Sequence, residues 1–188
     1  MTKPQRADAL RNRDKLLAVA VAAFTDLGAD VPLETIAAEA GVGVGTLYRH
    51  FPNRNALIEA AYRHEVDDLC DAAPELLAVH PADEALREWM GRFVQYAATK
   101  RGMGDALRSA VASDSPLFAH TRTKIVAALH GLLAAGVADG SLRDVADPED
   151  VMRAMGAVWN VAAGTEWQDQ VARLLGLLVD GLRYGARG

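Results

Sequence analysis

The stretch LETIAAEAGVGVGTLYRHF, residues 33–51, decides the fold. Leu33, Ile36, Ala37 and Ala40 recur at i, i+3, i+4 and i+7, the apolar stripe of a short helix. Gly41-Val42-Gly43 interrupts it, and a second short helix runs from Val44 or Gly45 to His50. Pro52 ends that helix, because the residue before a proline, here Phe51, is pushed out of the α region. Two short helices joined by a tight glycine-containing turn make a helix-turn-helix, whose second helix fits the major groove of DNA. Ile36, Ala37, Ala40, Val42 and Leu47 would lock the two helices together. Val44, Thr46, Tyr48, Arg49 and His50 then remain for the outer side. A threonine can meet a thymine methyl or a base edge, and Tyr, His and Arg can donate to bases or phosphates. A phosphate-cradling glycine loop over Gly41–Gly45 is the weaker reading, since no strand precedes it and the third glycine is misplaced. A helical hairpin without DNA function is the plainer alternative for the same residues.

Working toward the N-terminus, Leu17, Ala20, Val21 and Phe24 repeat the helical stripe, and Gly28 follows Leu27 as a C-terminal glycine cap. The spacing predicts a helix over about 8–27. Basic residues ahead of the apolar run 16–24 imitate a secretory leader, but Asp8 and Asp14 fall in the would-be basic region, so the segment reads as a core helix of a cytoplasmic protein. Toward the C-terminus, Asn53 can cap a long helix over 54–72, with Pro74, His80-Pro81 and Asp83 marking breaks. Helices are expected over about 83–99, 104–113, 116–138, 148–163 and 165–184. The 148–163 helix starts on the signal Asp147-Pro148-Glu149-Asp150. No convincing period-2 strand occurs, and the fold class is all-α: a helix-turn-helix unit over 1–52 and a helical body over 53–188, joined by the 53–72 helix.

The chain has 188 residues, 51% of them hydrophobic and 24% charged, which describes a globular protein with a sizeable core. No apolar run approaches the roughly 18 residues of a membrane span. The single cysteine, Cys70, excludes an internal disulfide framework and a cysteine-rich zinc site. A net charge of −5 argues, taken alone, against a nucleic-acid partner. Its distribution argues otherwise. Residues 1–64 hold eight basic against seven acidic side chains, and residues 1–15 five against two. The acidic surplus falls in the remainder, where it would hold the molecule off non-specific DNA.

From Leu16 to Leu57, 42 residues, the chain resembles the DNA-binding domain of the tetracycline-repressor (TetR) family of transcription regulators. The matching features are Leu16-Leu17, Ala20, Phe24 and Gly28, then Ile36-Ala37 and Ala40-Gly41-Val42. Gly45-Thr46-Leu47-Tyr48-Arg49-His50-Phe51 and Asn53-Arg54 with Ala56-Leu57 complete it. The resemblance implies that the Val44–His50 helix is the recognition helix, with Val44, Gly45, Thr46, Tyr48, Arg49 and His50 on the DNA side. It implies that Arg54 clamps a phosphate at the start of the next helix, and that Arg6, Arg11 and Arg13 add backbone or minor-groove contacts. Pro32 stands where Ser or Thr commonly caps the second helix, Gly43 replaces a frequent Ser, and Arg54 replaces the commoner Lys.

The resemblance further implies a body that binds a small effector and forms a homodimer, so that two heads reach a palindromic double-stranded operator and an effector releases them. Trp89, Phe93 and Tyr96 lie at i, i+4 and i+7. With Met103, Phe118, Met155, Trp159 and Trp167 they are candidates for an effector pocket; ordinary core is the other reading of such a stripe. Met152, Leu174, Leu175, Leu178 and Leu182 are candidates for a dimer interface built as a four-helix bundle. The His64/Asp68 pair lacks the further ligands of a metal site, and Cys70 has no basic sequence neighbour that would make it reactive. No catalytic constellation stands out, so neither cofactor nor enzymatic activity is expected. The alternative to a regulator is a small-molecule-binding or interaction module with vestigial DNA binding.

Overall fold

The computed structural model describes residues 3–110, 116–144, 147–162 and 164–185; side chains before residue 10, and those of 110 and 116, lie outside the description. The described residues form eight α-helices, a 3-10 helix and no strand. The helices are α1 (Lys3–Leu27), α2 (Leu33–Glu39), α3 (Val44–His50), α4 (Arg54–Leu77), α5 (Ala82–Ala110), α6 (Pro116–Asp139), α7 (Pro148–Met155) and α8 (Trp167–Arg183), with the 3-10 helix at Gly156–Asn160. None of them is long and apolar enough to cross a membrane.

Several boundaries differ from expectation. α1 begins at Lys3, earlier than the apolar stripe reveals, because the sequence Lys3-Pro4-Gln5-Arg6 carries no apolar periodicity. α4 passes through Pro74 to Leu77. Leu69, Ala72, Ala73 and Leu76 are buried on both sides of the proline, and that continuous stripe offsets the one hydrogen bond it removes. The break expected between 99 and 104 is a bend inside α5: Gly104 has φ 33° and ψ −116°, a conformation open to glycine. Residues 111–113 of the expected 104–113 helix lie outside the described residues. The 148–163 helix ends its α-turns at Met155 and tightens into the 3-10 helix, and residue 163 lies outside the described residues. Its start is as expected, with the Asp147 carboxylate accepting the Glu149 amide at 2.7 Å.

The chain gathers into two compact units. Met1–Glu65 with Ala98–Leu117 make one, and Val66–Ala97 with Phe118–Gly188 the other. In the first, α1, α2 and α3 touch one another in all three pairings, and Leu16, Phe24, Ile36, Leu47, Leu57 and Ile58 are fully buried. The end of α5 packs into this unit by backbone approach: a Cβ on Gly102 would stand 2.2 Å from the Phe24 carbonyl oxygen. Beside it the Thr25 and Thr99 hydroxyls lie 2.9 Å apart. Thr25 donates its single proton to the Val21 carbonyl, so Thr99 is the donor across that pair.

In the second unit Trp89 is wholly buried and donates its indole N–H to the Leu69 carbonyl at 2.8 Å, joining α5 to α4. The Asp139 carboxylate accepts the Ala82 and Ser141 amides, which fixes the end of α6 to the start of α5. Arg183 pairs with Asp83 at 2.9 Å, and Arg87 with Asp180, so two ion pairs tie α8 to α5.

Candidate nucleic-acid interface

The turn of the helix-turn-helix is fixed by its backbone. Gly41 has φ 68°, the left-handed region that a side chain resists. The Gly41 amide donates to Ala38 and the Val42 amide to Ala37, both at 3.0 Å, the paired closure of a Schellman motif. The Gly43 carbonyl then accepts the Thr46 and Leu47 amides and starts α3. α2 itself begins on Pro32, which gives no side-chain cap.

α3 divides its faces sharply. Leu47 is 0% exposed and anchors the helix, while Tyr48, the next residue, is 44% exposed. Val44, Gly45 and Arg49 are also exposed, and Thr46 and His50 half-buried. The outer side of this seven-residue helix therefore presents an isopropyl, a threonine hydroxyl, a phenol, a guanidinium and an imidazole. This set can meet base edges and phosphates, the Gly45 position leaving room for close backbone approach. Arg49 lies along its own helix, Nε donating to the Gly45 carbonyl at 3.2 Å.

The flanking basic residues are placed unequally. Arg13 is half-buried with its guanidinium 5.5 Å from the centre of the Phe51 ring, a cation–π contact that ties α1 to the end of α3. Arg11 is exposed on α1, and the Arg6 side chain lies outside the described residues. Asn53 caps α4 by accepting the Ala56 amide at 2.9 Å. Arg54 is half-buried, and its Nη1 donates to the carbonyls of Ala29 at 2.6 Å and Val31 at 2.8 Å. Nothing in the sequence alone pointed to those carbonyls, since the contact spans more than twenty residues.

The body candidates separate in the same way. Trp89, Phe93 and Tyr96 are buried and in ring contact, with centroids 6.2 and 5.4 Å apart. Met155 and Trp167 are buried, Phe118 is half-buried and Trp159 is 37% exposed; Met103 is buried in the first unit. A cavity of about 200 Å³ opens between α5 and α8 and is lined by other residues, chiefly Met90, Val94, Leu175 and Val179 with Arg87 at its edge. Among the interface candidates, Leu175 and Leu182 point into the core of their own chain, on the inner stripe that also carries Val171 and Val179. Leu174 is exposed and Met152 and Leu178 are half-buried, and Leu177 beside them is 69% exposed. α8 thus carries leucines on an outward face as well as on its inner stripe.

Cys70 is half-buried and its pKa is pushed up to about 11 by burial, which outweighs the nearby Lys124. The thiol therefore stays protonated and unreactive at neutral pH. Lys124 reaches Asp67 at 2.5 Å, a neighbour of Cys70 that the sequence order concealed. No group of three or more His, Cys, Asp or Glu side chains is placed to hold a metal among the described residues.

Comparison with known proteins covers both units. Residues 16–61 match the N-terminal region of bacterial regulatory proteins of the tetR family, and residues 81–184 match the C-terminal domain of SbtR-like transcriptional regulators. The crystal structure of a TetR transcriptional regulator from Streptomyces coelicolor is similar at 49% identity and a TM-score of 0.85, over 93% of this chain and 99% of that one. A TetR regulatory protein from Mycobacterium vanbaalenii is 34% identical with a TM-score of 0.77, over 96% and 99%. The helix-turn-helix transcriptional repressor KstR2 of Rhodococcus jostii is 30% identical over 190 residues, 90% of each chain.

Proposed function

This chain belongs to the TetR family of helix-turn-helix transcriptional regulators, and on that premise we propose that it is a homodimeric repressor released from a palindromic operator by a small molecule bound in its C-terminal unit. The observation that carries the reading is the division of α3: one residue wholly buried, its neighbours turned outward with DNA-compatible chemistry. Val44, Gly45, Thr46, Tyr48, Arg49 and His50 meet the major groove, and basic residues of α1 reach the backbone beside it. The segment 1–52 acts as the DNA-binding head and 53–188 as the effector-binding and dimerising body. Two heads on one duplex face sit about one helical turn, about 34–36 Å, apart. Met152, Trp159, Leu174, Leu177 and Leu178 form the apolar face through which two copies associate.

The effector acts through its differential affinity for the DNA-competent and DNA-incompetent states, typically about 1–3 kcal/mol of coupling. The cavity between α5 and α8 supports an effector of few heavy atoms. The protein works in the cytoplasm, without cofactor and without catalysis. Binding to its operator falls steeply with salt as phosphate neutralisation releases counterions, by about a thousandfold or more between 50 and 200 mM for six or more phosphate contacts. A gel-shift titration across that range checks this; a flat salt dependence contradicts the reading.

A further inference from the structure

Arg54 opens α4, where the family resemblance places a phosphate clamp, yet part of its guanidinium is turned inward. Nη1 donates to the Ala29 carbonyl at 2.6 Å and the Val31 carbonyl at 2.8 Å, so both protons of that nitrogen are engaged. Ala29 and Val31 are the two buried residues of the linker 28–32 between α1 and α2. Carbonyls in such a linker lie outside any helical ladder and need a donor. Within the linker the Val31 amide donates to the Gly28 carbonyl at 3.4 Å, while Pro32 supplies neither an N–H nor a side-chain cap and its carbonyl is taken by the Thr35 and Ile36 amides at 3.1 and 3.4 Å.

We propose that Arg54 is a positioning residue, fixing the start of α2, and through it α3, against the first turn of α4 rather than neutralising an operator phosphate. The residue type fits the task. A lysine is a compact point charge suited to a phosphate, whereas one fixed planar nitrogen of arginine reaches two carbonyls at once. α4 runs on from this first unit into the second, so the helix that Arg54 ties to the head is also part of the body. The inference rests on the proposed operator binding for its consequence, but the tie itself belongs to the free protein.

Arg54→Lys and Arg54→Met, each in the full chain, separate the two roles. In the DNA-free protein both variants are expected to exchange the Thr35 and Ile36 amides faster, while amides 57–62 of α4 keep their protection. On a duplex recovered by selection from random sequence, both are expected to bind about tenfold more weakly at every salt concentration, with the wild-type salt slope retained. Their discrimination against duplexes with half-site spacing changed by one base pair is expected to shrink, a readout that loss of stability alone does not move. Wild-type affinity in Arg54→Lys, with a slope reduced by about 1.8 in Arg54→Met as the dimer loses one contact per subunit, would identify a phosphate contact and overturn the proposal. Unchanged exchange at Thr35 and Ile36 overturns it too. Should the wild-type chain select no duplex, the operator reading fails, while the exchange measurement still decides whether Arg54 holds α2.

Discussion

Alanine at Leu47 and alanine at Tyr48, adjacent positions on α3, are expected to fail in opposite ways. Leu47 is fully buried, and its truncation removes transfer free energy and leaves a cavity where α3 meets its neighbours. The expected loss is about 2–5 kcal/mol, a large fraction of the stability of a small domain. Chemical denaturation should show the midpoint falling with little change in slope. Tyr48 carries its ring outward, so Tyr48→Ala should shift stability by no more than about 0.5 kcal/mol. Its cost should appear on DNA, as an affinity about tenfold or more below wild type in the same gel-shift assay. If Tyr48→Ala unfolded the protein, or left operator affinity intact, the assignment of the α3 faces would be wrong.

The second large effect is expected at the outer face of α8. Leu177→Asp puts a charge at the most exposed of the apolar positions there, and in a dimer each subunit brings one such charge to the interface. The variant should fold, because the inner stripe of Val171, Leu175, Val179 and Leu182 is untouched. It should sediment as a monomer at micromolar concentration and bind the operator about a hundredfold or more weakly, since each head then binds alone. Leu175→Asp, two residues away on the inner side, should instead destabilise the chain by burying an unpaired charge. A Leu177→Asp protein that remains dimeric and binds as wild type would place the interface elsewhere.

The contrast between those positions separates what the sequence makes legible from what only the fold brings together. Local signals read well. The turn at Gly41, the start of α3 and the Asp147 cap follow from residues within four positions of one another. The division of α3 was legible for the same reason, because Leu47 and Tyr48 differ by a single step of 100° round one helix. Long-range partners were not legible. Arg54 reads as a free cation until Ala29 and Val31 are brought beside it, and Cys70 as an isolated thiol until Lys124 arrives from α6. The leucines of α8 sort into inner and outer faces only once α5 occupies one side, which is why Leu175 and Leu182 stood among the interface candidates and Leu177 did not. The ring contacts of Trp89, Phe93 and Tyr96 follow from their spacing at i, i+4 and i+7, which sets the burial of the stripe but not which side of it walls an effector site.

Charge follows the same logic. A chain of net charge −5 binds DNA when the surface it presents departs from that average, and here the basic excess of residues 1–15 sits on the segment leading into the recognition unit. Selection of duplexes from a random-sequence pool by the full-length protein tests this account most directly. It predicts enrichment of a palindrome whose two half-sites lie about one helical turn apart, centre to centre. Recovery of no shared sequence, or of a single unrepeated half-site by a dimeric protein, would contradict it.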